Sequence, residues 1–322
     1  MPDPGPTFIP DHAPLLPEKT PFTKQTPKSL QILAYFVNHS YDVTMAESWE
    51  ISSRIKWPDF YLKEIWRYRE LLGRFVRRDF LAAHKQTVLG SLWILVQPLL
   101  TALTYVIVFK NVMGVSTSGR PGLVFYFISI ITWGFFSESV LAISYTYAQH
   151  AAIFNKVYFP RIITSLSICL SQLVRLGIQL GIYLVIFLLS VWHDPSIRPN
   201  MSLALLPVWI LSLAMMALGT GLIFATLSVR YRDLHNLLSS LFRIWMFATP
   251  VIYPLAIIPE PYQRWMALNP VTPLIEVIRY GFLGTGAHQP LFIAYAFLLS
   301  VTLFTGGIVL FNLRDGKAMD IV

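Results

Sequence analysis

From Val88 onward the chain has almost no charge with which to face water. Val88–Phe109, Met201–Val229 and Leu291–Leu313 each run without one Asp, Glu, Lys or Arg. Each exceeds the roughly 20 apolar residues that cross ~30 Å of hydrocarbon. Of 42 charged residues, 22 lie in residues 1–87 and only 20 in the remaining 235. A charged fraction of 13% is about half that of soluble domains. With a mean hydropathy of +0.56, this distribution excludes a disordered chain and argues against a soluble enzyme. Cys169 is the single cysteine, so no intrachain disulfide can form and a small disulfide scaffold is excluded.

Three further apolar stretches complete a set of six expected spans. Leu123 to about Ile143 is interrupted only by Glu138, Ile162–Trp192 only by Arg175, and His235 to about Tyr253 only by Arg243. Ionisable groups at membrane depth face protein or water. A lone Glu138 makes a thin proton path, so it reads first as a member of an ion pair or a boundary residue. The expected fold is an all-α integral membrane protein with six transmembrane helices. An amphipathic interfacial helix precedes them, and two re-entrant half-helices lie between the fifth and sixth.

The half-helices are expected over Val251–Gly284, where Pro254, Pro259, Pro261, Pro270 and Pro273 break the apolar sequence into pieces too short to cross. Broken helices survive at membrane depth only inside protein or beside a wet cavity. A long extracytoplasmic loop is the other reading. Upstream, eight prolines in residues 1–28 leave no apolar period, so residues 1–57 are expected to be a disordered or small cytosolic segment. Residues 58–87 carry Tyr61, Ile65, Tyr68, Leu72, Phe75 and Val76 at helical spacing, with Arg67, Arg74, Arg77 and Arg78 mostly off that stripe. That is the pattern of a basic helix lying on an anionic leaflet, or of a helix packed on a soluble domain. The six-span membrane domain is then 88–322. Arg74, Arg77, Arg78 and Lys85 precede the first span while only Lys110 and Arg120 follow it. The positive-inside bias therefore places both termini in the cytoplasm. The net charge of +8 flanks apolar runs, which is a membrane pattern and not a nucleic-acid one.

Several chemistries are missing from the sequence. There is no G-x-x-x-x-G-K-[ST] phosphate loop, no G-x-S-x-G elbow and no histidine pair at metal-ligand spacing. Neither a cofactor nor a metal is expected on this chain. Gly219-Thr-Gly221 reads as helix packing. Gly177-Ile-Gln-Leu-Gly181 reads either as a helix or dimer contact or as coincidence.

Ordered motifs then point to a family. Tyr68-Arg-Glu-Leu-Leu72, Arg78-Asp79, Lys85-Gln-Thr-Val-Leu-Gly90, Leu92-Trp93 and Gln97-Pro-Leu-Leu100 resemble the approach to the first span in type-2 ABC exporter permeases for polysaccharides. Tyr231-Arg-Asp-Leu234, Pro250-Val-Ile-Tyr-Pro254, Asn269-Pro270 with Glu276 and Arg279, and Arg314-Asp-Gly-Lys-Ala-Met-Asp320 are similar to later family motifs. The resemblance covers residues 60–322. Ala83-His84 departs from it, standing where relatives often carry Arg-Tyr before the lysine.

The resemblance implies an exporter of O-antigen or teichoic acid type in a bacterial cytoplasmic membrane. Two copies of this permease would pair with two copies of a separate ATPase, which binds ATP and Mg. The cargo would be a glycan on undecaprenyl diphosphate. Sugar C–H faces stack on aromatic rings. The candidates for a conduit are therefore Tyr105, Phe109, Phe125, Tyr126, Trp133, Phe136, Trp245, Phe247 and Tyr253, with interfacial belts or lipid contact as the alternative. Arg74, Arg77, Arg78 and Lys85 are candidates for the carrier diphosphate, or equally for anionic lipid. Tyr68, Asp79, Tyr147, Asn155 and Lys156 are candidates for coupling to the ATPase, with Tyr145–Arg161 as a docking helix. Competing classes are a drug or lipid exporter of the same fold, a secondary carrier, for which the second set of broken helices is missing, and a membrane glycosyltransferase, for which an acidic cluster is missing.

Overall fold

A computed structural model describes residues 66–82, 87–147, 149, 160–231, 233–286 and 289–318. The expected N-terminal segment 1–57, the start of the expected interfacial helix, Lys85, and most of 148–159 with Asn155 and Lys156 lie outside the described residues. All regular structure among the described residues is helical. Helix α1 is Arg69–Ala82, α2 Trp93–Tyr105, α3 Gly122–Ser144, α4 Ile162–His193, α5 Leu206–Ser228, α6 Leu234–Phe247, α7 Glu260–Ala267, α8 Val271–Leu283 and α9 Pro290–Ala318. Helix α2 is extended by a 3₁₀ turn at Gly90–Leu92 and a π-helical segment at Val106–Val112.

Helix α3 is the centre of the bundle. Its residues are apolar around the whole circumference, the pattern of a helix enclosed on all sides, and α2, α4, α5, α6 and α8 pack around it. Four of its five serine and threonine hydroxyls bond back within the helix, Ser139 being the exception among the described residues. Ser129 donates to Phe125 O at 2.9 Å, Thr132 to Ile128 O at 2.7 Å and Ser137 to Trp133 O at 3.0 Å. Such back-bonding lets Ser and Thr sit in a medium without water.

Helices α5 and α9 make the most extensive pairing. Their backbones touch where Gly219 meets Gly307: a Cβ built on Gly219 would lie 2.3 Å from Leu303 O, and one on Gly307 would lie 2.4 Å from Gly219 O. Ser212 and Ser300 share a hydrogen bond of 2.9 Å across the same pair of helices. Small residues at a helix crossing replace the hydrophobic driving force that lipid removes.

Five helical stretches are long and apolar enough to cross a membrane: Gly90–Val112, Gly122–Ser144, Ile162–His193, Met201–Ser228 and Pro290–Leu313. The molecule is a multi-pass membrane protein. The fifth expected span differs from the expectation. Its helix, α6, has 14 residues, roughly 21 Å at 1.5 Å per residue, and gives way to turns from Ala248 to Tyr253 before Pro254. Between α6 and α9 lie two helices too short to cross, α7 with 8 residues and α8 with 13.

The level of each element can be read against α3. At its C-terminal end, Ser228 donates to Ser144 O at 2.7 Å, and the Tyr145 and His235 rings are 4.7 Å apart. At the other end, Asn200 N donates to Gly281 O at 2.9 Å and Arg120 donates to Ser196 O at 2.9 Å. Ser196 N and the Ser196 side chain hydrogen-bond the Asp194 carboxylate, holding it below its ordinary pKa range, with help from Arg120. His235 stands at the first of these levels, and Pro250 accepts from Arg279, whose guanidinium lies over Phe125 near the start of α3.

Candidate functional site

Seven of the candidate conduit aromatics fall into two groups of touching rings, Tyr105, Phe109, Phe125 and Tyr126 in one and Trp133, Phe136 and Trp245 in the other. Trp133 lies 6.0 Å from Trp245 and 5.9 Å from Phe136, and Phe136 meets Phe242 and Trp245 at 5.9 Å. Tyr105 meets Phe109 edge-on at 5.3 Å and Tyr126 at 6.0 Å. Edge-to-face rings at these separations add about 0.5–1.5 kcal/mol per pair beyond burial. Phe125, Tyr126, Trp133 and Phe136 are buried in the core of the single chain. Their faces are already covered by protein. Tyr105, Phe109, Trp245 and Tyr253 are half-buried, and Phe247 is exposed. Tyr253 is held by donation from its hydroxyl to Phe247 O at 2.7 Å.

Next to the first group, at Phe125, lies a buried charge pair. Glu276 and Arg279 are i, i+3 neighbours on α8, 3.2 Å apart, and each side chain is only 1% exposed. Arg279 Nη2 also donates to Pro250 O, and the guanidinium sits over the Phe125 ring at 4.1 Å. One side chain thus joins α8, the turn after α6 and the start of α3. The planar fork of arginine suits this position, because two donor directions and a flat face are used at once. Asn269 reinforces the junction by donating to Thr249 Oγ1 at 2.9 Å. The Glu276–Arg279 spacing is visible in sequence. The carbonyl and ring that complete the site come from residues 29 and 154 positions away, which no local motif signals.

A second pair lies across α3 and α4, where Arg175 Nη1 donates to Glu138 Oε2. The carboxylate expected to sit in an ion pair does so. Both side chains remain partly exposed, 32% for Arg175 and 46% for Glu138. We expect Glu138→Ala and Arg175→Ala each to lower the thermal midpoint, with a coupling on the order of 1 kcal/mol in a double-mutant cycle. A charge-swapped Glu138→Arg, Arg175→Glu chain should recover most of the loss. Additive single effects would show that the contact carries no energy. Arg243, expected within the fifth span, is exposed and donates to Ser239 O at 3.3 Å.

Three of the basic candidates, Arg74, Arg77 and Arg78, sit on α1, which packs against α4. Arg74 and Arg77 are exposed. Arg78 pairs with Asp79 at 2.8 Å and lies over the Phe75 ring at 4.7 Å. Of the coupling candidates, Tyr68 is half-buried just before the same helix. Tyr147 is buried and stacks on Phe311 of α9 at 5.5 Å. Among the described residues no group of three His, Cys, Asp or Glu side chains could hold a metal.

Comparison with known sequences settles the family. The sequence model described as ABC-2 type transporter matches residues 70–283, from α1 to the end of α8. The chain belongs to the ABC-2 type transporter family. Within it, this permease is 31% identical over 217 residues to the O-antigen export system permease protein RfbA of Myxococcus xanthus, an alignment covering 66% of this chain and 80% of the relative. It is 26% identical over 244 residues to the protein of the same name from Klebsiella pneumoniae, covering 76% and 91%. It is 20% identical over 241 residues to the capsule polysaccharide export inner-membrane protein CtrC of Neisseria meningitidis, covering 70% and 83%. The resemblance drawn from the short motifs is confirmed at family level. The matched region takes in the Glu276–Arg279 junction, Gly219 at the α9 crossing and Gly221, where a Cβ would meet Ile143 of α3. It stops short of α9, so Gly307 lies outside it.

Proposed function

We propose that this ABC-2 permease exports a lipid-linked polysaccharide of O-antigen type across a bacterial cytoplasmic membrane, driven by a separate ATPase. The observation that carries the proposal is that its relatives are named for O-antigen export, capsule polysaccharide export and polysialic acid transport. These are different glycans with one polymeric chemistry. In this reading two copies of the chain pair with two ATPase subunits, which bind ATP and Mg, and the cargo rides on undecaprenyl diphosphate. The conduit runs between the two copies. Tyr105, Phe109, Phe247 and Tyr253 keep free ring surface for sliding sugars. The buried Phe125, Tyr126, Trp133 and Phe136 stiffen the wall behind them, with Trp245 between the two groups.

Six crossings with both termini cytoplasmic fit this role. The contacts of His235 with Tyr145 and of Phe242 and Trp245 with Trp133 and Phe136, and the bridge from Pro250 through Arg279 to Phe125, support α6 and its following turns as the fifth crossing. The short α7 and α8 then dip from the outer side. On the inner side, Tyr68 and Asp79 at α1, Tyr147, and Asn155 with Lys156 form the region through which the ATPase couples. Deletion of the gene should stop surface glycan and accumulate its lipid-linked precursor in the inner leaflet. The tagged permease should co-purify with an ATPase subunit. Unchanged surface glycan with altered drug or lipid efflux would replace this reading by the other exporter class.

Arg74, Arg77, Arg78 and Lys85 gather the carrier diphosphate at the inner leaflet. Each basic residue near an anionic surface contributes about 1 kcal/mol. An Arg74→Gln, Arg77→Gln chain, losing about 2 kcal/mol, is therefore expected to export roughly 30-fold less glycan at equal membrane insertion, read as surface glycan per permease. Full export by that chain would remove the role.

A further inference from the structure

Three membrane-spanning helices end around one open cavity of about 530 Å³, whose lining includes Lys110, Ser116, Thr117, Arg120, Pro121 and Asp194. Lys110 lies in the last turn of the span Gly90–Val112, Pro121 directly precedes Gly122–Ser144, and Asp194 directly follows Ile162–His193. Charge returns here after long apolar runs, so these positions mark where the hydrocarbon stops. The phosphates of the lipid headgroups occupy the next few ångströms. Basic residues are sparse on the side expected to be outside, yet two of them share this cavity.

Both cations keep donors to spare. Lys110 reaches only Arg120 O, at 3.4 Å, and that oxygen already accepts from Thr117 at 2.6 Å. An ammonium carries three donors. Its stem is fixed by packing, because it lies across the first residue of α3: a Cβ on Gly122 would stand 2.8 Å from Lys110 Cδ. Arg120 Nη1 is committed to Ser196 O at 2.9 Å and Ser196 Oγ at 3.1 Å, and Nε is buried. Nη2 meets no acceptor among the described residues. Neither cation has a carboxylate at ion-pair distance among the described residues. Asp194 is engaged by Ser196 instead, whose hydroxyl and N–H hold it ionised. Two cations against one carboxylate leave the lining with a net charge of +1. A phosphodiester carries one negative charge, and its oxygens accept charge-assisted bonds from ammonium and guanidinium. A phosphate dianion or a diphosphate would bring surplus negative charge against Asp194.

We propose that this cavity binds the phosphodiester of an anionic membrane phospholipid, with Lys110 Nζ and Arg120 Nη2 donating to its oxygens. Free phosphate offers the same acceptor atoms. The depth at which the three spans end favours the lipid, since a headgroup is held at that level by its own acyl chains. A headgroup without a cation of its own neutralises the cavity, whereas a choline headgroup leaves the charge in place. The proposal concerns the chain and its bilayer and does not rest on glycan export.

Native mass spectrometry of the purified full-length chain, released from detergent micelles, compares bound phosphatidylglycerol with phosphatidylcholine of the same acyl chains. Phosphatidylglycerol is expected to bind more tightly. Lys110→Met keeps a stem over Gly122 and loses the charge. It should weaken phosphatidylglycerol about fivefold, the weight of one basic residue at an anionic surface, and leave phosphatidylcholine unchanged. Adding Arg120→Gln should weaken it further. Asp194→Asn removes the one negative charge of the lining and should tighten phosphatidylglycerol, a shift in the direction that damaged folding cannot imitate. The same effects are expected in an Arg74→Gln, Arg77→Gln background, which separates this site from lipid held on α1. A second arm reads thermal midpoints in detergent. Phosphatidylglycerol should raise the midpoint of the parent chain more than that of Lys110→Met, while inorganic phosphate should do no more than sodium chloride of equal ionic strength. A rise specific to inorganic phosphate and lost in Lys110→Met would give the cavity to the free ion and remove the lipid. Equal binding of the two lipids, or phosphatidylglycerol binding indifferent to Lys110→Met with Arg120→Gln, overturns the proposal.

Discussion

Gly219→Val should abolish the folded permease. A Cβ at this position would stand 2.3 Å from Leu303 O and 2.5 Å from Phe304 N, all backbone of α9, so no side chain can swing away to make room. The helices must separate, and with them the Ser212–Ser300 hydrogen bond. Overpacking of ordinary cores costs about 1–3 kcal/mol. A backbone-on-backbone crossing leaves no relaxed alternative and belongs at or above the top of that range. Gly307→Ala should behave similarly, since its Cβ would lie 2.4 Å from Gly219 O. Gly306→Ala is the matched control. It is one residue away on the same helix, a Cβ there meets nothing within 4 Å, and alanine is a better helix former by about 1 kcal/mol. Fluorescence-detected gel filtration and thermal midpoints in detergent should show loss for Gly219→Val and Gly307→Ala, and none for Gly306→Ala. Equal behaviour of the two adjacent glycine substitutions would show that the α5–α9 crossing does not depend on backbone contact.

The same region shows what one-dimensional pattern can and cannot carry. Uncharged runs locate spans because hydrocarbon excludes charge over a fixed thickness, and five of the six expected crossings coincide with long helices. At the remaining one, α6 ends after 14 residues and turns follow from Ala248 through Pro250, so a continuous apolar run did not specify one continuous helix. Which glycines pack was legible for Gly219 but undecided for Gly177 and Gly181, where a Cβ meets nothing within the chain. Small residues recur in both motifs, and only the presence of a partner helix separates them. The aromatic set was recognisable by type. Its division into buried Phe125, Tyr126, Trp133 and Phe136 and more open Tyr105, Phe109, Phe247 and Tyr253 was not. Helix α3 is apolar on every side, so no period distinguishes one face from another. Glu138 acquired its partner only in three dimensions, 37 residues away.

The Arg279 junction should respond in the way that distinguishes a buried pair from a surface one. Arg279→Met leaves Glu276 buried without its cation, strips the donor from Pro250 O and uncovers the Phe125 ring. Removing one member of a buried pair costs about 3–5 kcal/mol. That is comparable with the whole stability of many domains, and severe loss of folded protein is expected. Glu276→Met alone should also destabilise, because Arg279 would keep its charge in a site with 1% exposure and only a carbonyl and a ring for company. The Glu276→Met, Arg279→Met double substitution should regain most of the loss. Apolar replacement of both members removes two desolvation penalties together, leaving about 1–3 kcal/mol for the abandoned Pro250 carbonyl. Thermal midpoints of the four chains therefore form a strongly non-additive cycle. The recovered double variant then separates stability from transport. If the pair serves only to hold α8, the turn after α6 and α3 together, export returns with folding. If its charge acts on the passing polymer, the chain folds and export stays low. A double variant that is as unstable as the sum of its parents would mean that the two charges do not share one energetic site.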